Sequence, residues 1–104
     1  MTRTLSDQNL KENIRTIENS LTKVAQIRGV NFDWKEDQAP SMGVIAQEVQ
    51  AVFPELVSEY YDNGTIFNGT LSVNYNGLIG LLIEVVKEQQ TQINSLNERL
   101  SKLE

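Results

Sequence analysis

Ser6 and Lys11 are the residues of this 104-residue chain whose types and spacing could make a nucleophile and its base. The chain has no histidine and no cysteine, which excludes disulfides, zinc sites built on those ligands and any Ser-His or Cys-His pair. A serine can still be activated by an amine held neutral within hydrogen-bond reach, which takes the hydroxyl proton as oxygen attacks a carbonyl. A solvated lysine titrates near 10.4, so Lys11 needs a depression of about three units, roughly 4 kcal/mol of desolvation or repulsion, to work at neutral pH. A small monomer has little capacity for such burial, whereas neighbouring subunits closing over Lys11 would supply it after assembly. Five residues apart on a continuous helix, the two side chains would stand about 140° apart. Ser6 must therefore lie before the helix, with the break at Ser6-Asp7, or Lys11 must serve a neighbouring chain's Ser6. On these residues alone a plainer assignment competes: Ser6 or Asp7 caps a helix and Lys11 is a solvated charge.

The elements that would position the pair follow from periodicity. Residues 1–5 read as a short leader. From Asp7 to about Glu18 the spacing of Leu10, Ile14 and Ile17 predicts a first helix, and Leu21, Val24 and Ile27 predict a second that ends at Gly29 in a left-handed cap. Val30, Phe32 and Trp34 alternate with polar residues as a strand does. Residues 35–41 read as a loop, and 43–53 as a helix turning Ile45, Val49 and Val52 to one side until Pro54 stops it. Residues 56–61 and 65–67 flank Asp62-Asn63-Gly64, a preferred hairpin turn. Asn68-Gly69 reads as a second turn, after which Leu71, Val73 and Tyr75 extend the sheet. Both Asn-Gly-Thr triplets also fit the glycosylation acceptor pattern, but turn chemistry explains them without a signal peptide.

From Asn76 onward a heptad repeat is unbroken. Ile79, Val86, Ile93 and Leu100 fall at a, while Leu82, Gln89, Leu96 and Leu103 fall at d. A lone helix of this kind exposes a continuous apolar seam, so self-association is expected. β-Branched residues at a with leucine at d favour two strands, and Leu100 departs from that rule. Gln89 makes a polar layer that either fixes register or is tolerated near the wetter start of the seam.

Composition bounds the rest. Nine Lys plus Arg against fourteen Asp plus Glu give a net charge of -5 and no basic stripe, which argues against nucleic acid as a partner. The polar first twenty residues and the short apolar run 78–83, interrupted by Gly80, give no signal peptide and no membrane span. Nothing calls for a cofactor or a metal. The chain divides into the leader 1–5, a small α+β body of helices and β-hairpins at 6–75, and a long coiled-coil helix at 76–104. A chain of 104 residues buries only about 60 to 70% of its extended surface on folding, and the small body needs partners.

Taken in order, Ser6-Asp7-x-x-Leu10-Lys11-x-x-Ile14, Gly29-Val30-x-Phe32-x-Trp34, Gly43-Val44-Ile45-Ala46-Gln47-Glu48-Val49, Phe53-Pro54-Glu55-Leu56-Val57 and Val73-Asn74-Tyr75 resemble a known family. It is the C-terminal intramolecular chaperone domain of phage endosialidase tailspikes, tail fibres and neck appendages, also found in myelin regulatory factor. The resemblance spans nearly the whole chain. It implies a homotrimer that registers a covalently linked upstream fibrous domain and then releases itself by autoproteolysis. The scissile bond would be Leu5 to Ser6, with Ser6 the nucleophile and Lys11 the base. Gln47 and Asp7 would belong to the supporting shell. The implied setting is a phage tail fibre or virion precursor made in the host cytoplasm. One position departs: some self-cleaving members carry histidine before the motif glycine, where this chain has Met42.

Overall fold

The computed structural model describes residues 4–62 and 65–104, and the side chains of 62 and 65–68 are not described. The chain opens with a 3-10 turn at Gln8–Leu10 and then runs without regular structure over 11–19. This corrects the expected first helix at 7–18. Leu10 and Ile14 are 66% and 69% exposed, so a helix there would have no surface against which to bury its stripe. Asn13 and Asn19 instead take left-handed backbone with φ of 55° and 58°, a conformation asparagine reaches more easily than other non-glycine residues.

Helix α1 is Ser20–Val24, shorter than expected, and ends through Ala25. Gly29 is not the predicted left-handed cap, since the described glycine with positive φ is Gly69. Strands β1 (Val30–Asp33) and β2 (Pro40–Gly43) pair antiparallel, with Val30 opposite Gly43 and Asn31 opposite Met42. The expected strand is therefore present, but its partner begins where a loop was expected and takes the first residue of the expected helix. Helix α2 is only Ala46–Gln50, followed by a 3-10 turn at Pro54–Leu56 whose first residue is the proline. Trp34 stacks edge-on against Phe32 at 5.0 Å but stays largely exposed.

Strands β3 (Val57–Asp62) and β4 (Thr65–Val73) form the second antiparallel pair, and the predicted turn residues Asn63 and Gly64 lie outside the described residues. Asn68-Gly69 is not a turn between strands. It sits inside β4, where Tyr60 alone faces residues 67–70 and Gly69 (φ 66°) takes up the bulge. Tyr75 does not extend the sheet but starts α3 (Tyr75–Lys102), whose N-cap Asn74 accepts from the Gly77 N–H at 3.3 Å.

Helix α3 is the organising element. At 1.5 Å per residue its 28 residues span about 42 Å. Its N-terminal half packs on the body through Gly77, Leu81 and Val85, a stripe distinct from the heptad seam. Leu81, Val85 and Val49 of α2 make up the buried apolar core among the described residues, at 2%, 7% and 0% exposure. A Cβ at Gly77 would run into the Leu56 side chain, which would have to shift to admit it. With five residues each, α1 and α2 are too short to persist alone and exist because α3 and the hairpins hold them.

Candidate functional site

The 3-10 turn brings Ser6 and Lys11 together. Asp7 is extended, at φ -63° and ψ 135°, and its Oδ1 accepts from the Asn9 N–H at 2.8 Å. The backbone then bends, with the Leu10 N–H donating to the Asp7 carbonyl and the Lys11 N–H to the Gln8 carbonyl, both at 3.1 Å. Lys11 leaves the turn extended and its side chain returns to the start. Its Nζ donates to Ser6 Oγ at 2.7 Å. The break needed at Ser6-Asp7 is present, and the contact is made within one chain. Asp7 serves as the cap of the turn, so capping and the Ser6-Lys11 contact coexist rather than compete.

Both partners are exposed in the single chain. Lys11 stands at one end of a groove of about 930 Å³ between residues 11–18 and the body, floored by Phe53, Leu56, Gly77 and Leu81. Lys23 lies along it with Nζ 5.7 Å from the centre of the Phe53 ring. Gln47, expected in the supporting shell, is exposed, does not line this groove and, among the described residues, has no hydrogen bond to Ser6 or Lys11. Met42 is exposed on the β1–β2 hairpin.

The expected association residues lie along one face of α3. Ile79, Leu82, Val86, Ile93, Leu96, Leu100 and Leu103 are between 49% and 84% exposed, and Gln89 shares that exposed face. Ile83, also exposed, widens the apolar strip near its start.

Two polar contacts were not legible in the sequence. The Arg28 guanidinium grips Glu48 bidentately, with Nε 2.9 Å from Oε1 and Nη2 2.9 Å from Oε2. The hydrogen bonds from Arg28 hold the Glu48 carboxyl below its ordinary range, with the guanidinium charge adding to them. Glu88 Oε2 accepts from Ser20 Oγ at 2.7 Å and from the Leu21 N–H at 3.1 Å. Both join residues twenty or more apart in sequence, and only a known fold places them together. Among the described residues no cluster of three carboxylates suits a metal, and no helix is long and apolar enough to cross a membrane.

Residues 6–58 match the family described as chaperone of endosialidase. The long tail fibre protein Gp37 of Enterobacteria phage K3 is 37% identical over 100 residues, covering 91% of this chain and 8% of that protein. The Gp37 of Salmonella phage S16 is 32% identical over 106 residues, covering 94% of this chain and 14% of its own length. The chain thus spans a small fraction of these relatives.

Proposed function

Since the chain belongs to the chaperone of endosialidase family, we propose that it is the intramolecular chaperone of a phage tail fibre. In this reading it trimerises through α3, sets the register of a fibrous domain joined to its N-terminus, and cuts itself free between Leu5 and Ser6. The observation that carries the self-cleavage is the 2.7 Å contact of Lys11 Nζ with Ser6 Oγ. A protonated Lys11 donates in that contact. Once the amine is neutral the direction reverses, and Nζ takes the Ser6 hydroxyl proton as Oγ attacks the Leu5 carbonyl carbon. The Leu5–Ser6 amide C–N bond breaks, the lysine ammonium returns the proton to the departing Ser6 amine, and the Leu5 acyl group rests on Oγ as an ester. Water hydrolyses that ester, giving a Leu5 carboxylate and restoring the Ser6 hydroxyl.

The exposed seam of α3 supports the assembly. Coiling it with copies of itself removes the apolar strip from water. Assembly is also what would strip water from Lys11, which is open to solvent in the single chain. Cleavage would then follow folding, and the fibre would be released only once registered. The likeness to phage long tail fibre proteins supports this setting.

The second reading is a permanent cap that trimerises a fibre without cutting it. The exposure of Ser6 and Lys11, and Met42 where some cleaving members have histidine, favour it. The test is the denatured intact mass over time of this chain behind a fibrous stem, beside its Ser6→Ala twin. A break between Leu5 and Ser6 in the parent alone is expected. An unbroken, assembled parent would leave the cap.

A further inference from the structure

The segment bearing Ser6 and Lys11 is an exposed arm. Among the described residues, no backbone hydrogen bond ties residues 12–18 to the rest of the chain, and residues 4–19 are all exposed. Ile17 lies near α3 at Gly80, where a Cβ would be 3.9 Å from Ile17 Cδ1. The firm attachment comes at the arm's end. Ser20 is 2% exposed, the one buried polar side chain among the described residues, and gives its hydroxyl to Glu88. The same Glu88 oxygen takes the Leu21 N–H. Helix α1 needs this because its own N-cap, Asn19, is left-handed and makes no capping bond with its side chain. A carboxylate on α3 thus caps α1 from outside, where it satisfies an otherwise orphaned N–H and complements the positive end of the helix.

Glu88 is at a c position of the heptad, on the side of α3 away from the seam, so it remains available to α1 when the seam is occupied. We infer that Glu88 is a positioning residue for self-cleavage: it fastens the arm carrying Ser6 and Lys11 to the helix that drives assembly. This rests on the self-cleavage reading above. It implies that the arm takes its place only after the helical turn around Glu88 has formed, which couples helix assembly to the cutting pair. The core residues Leu81, Val85 and Val49 all lie outside the arm, whose residues 4–19 are exposed.

The test follows loss of residues 1–5 from the 104-residue chain by intact mass, for the parent, Ser6→Ala, Glu88→Ala and Glu88→Gln, with sedimentation of each. Glu88→Ala is expected to cut about tenfold slower or more, the equivalent of one lost hydrogen bond to a charged group, with the assembly unchanged. Glu88→Gln keeps an acceptor oxygen and should retain most of the rate. Should Glu88→Ala fail to assemble, Ser20→Ala and Ser20→Thr carry the comparison, because threonine keeps the hydroxyl donor. A parent that cuts while Glu88→Ala or Ser20→Ala cuts equally fast overturns the positioning role alone. A parent that stays whole overturns the self-cleavage reading and this inference with it.

Discussion

Placing aspartate at both Ile93 and Leu96 should dissolve the assembly. These side chains are 49% and 55% exposed in the single chain, so about half of each remains to be buried against partner helices. Full burial of such a side chain is worth about 1.5 to 3 kcal/mol, which leaves roughly 0.75 to 1.5 kcal/mol for each residue on assembly. For two residues on the three chains of the proposed trimer that is about 4.5 to 9 kcal/mol, or at least about three orders of magnitude in the association constant. Unpaired carboxylates in the seam would add a desolvation cost of the same sign. Sedimentation equilibrium at micromolar concentration should therefore show the parent assembled and the double variant monomeric. Ser95→Asp, on the far side of the helix, should leave the assembly intact. The body packs through Leu81 and Val85, away from both sites, so the variant should keep its near-ultraviolet spectrum. A double variant sedimenting like the parent would refute the seam as the interface. If cleavage depends on assembly, this variant should also remain uncut.

Three further outcomes are expected. Lys11→Arg keeps the charge and the reach to Ser6 Oγ but has no accessible neutral form, so it should abolish cleavage as fully as Lys11→Ala; intact masses showing a cut Lys11→Arg chain would remove Lys11 as the base. Gly77→Ala raises helix propensity by about 1 kcal/mol yet drives a methyl into Leu56 at a cost of about 1 to 3 kcal/mol, so a net loss of up to about 2 kcal/mol and a lower Tm are expected by calorimetry; an unchanged or higher Tm would show that Leu56 yields freely. The Arg28 to Glu48 pair depresses the Glu48 carboxyl, so its stabilisation is complete above the ordinary glutamate value and fades as pH falls through the lower folded one. Urea unfolding at pH 7 and pH 3 should therefore show a larger acid loss in the parent than in Glu48→Gln, and equal losses would count against the pair.

The sequence alone determined the parts that depend on short spacing. The α3 helix and its heptad seam were legible because each residue type repeats at the helical period over most of 28 residues, and local backbone preference agrees with that period. The pairing of β3 with β4 was legible from the turn signal Asp62-Asn63-Gly64 in the sequence between them. So was the requirement that Ser6 precede any helix, because 100° per residue forbids a meeting at a five-residue separation otherwise. The tertiary structure decided whatever depends on what a stripe packs against. Leu10, Ile14 and Ile17 have the spacing of a helix, but Leu10 and Ile14 find no surface to cover, so that segment became an arm with left-handed asparagines. Residues 43–53 lost their first residue to β2 and kept only one short helix, because Gly43 pairs with Val30. Asn68-Gly69 carried turn chemistry, and strand pairing turned it into a bulge. The second stripe of α3, at Gly77, Leu81 and Val85, was hidden beneath the stronger heptad signal. Glu88 read as one more solvated charge, because nothing in a sequence shows that residue 20 will end beside residue 88. Periodicity fixes which face of an element is apolar; only the packed chain fixes which partner that face meets.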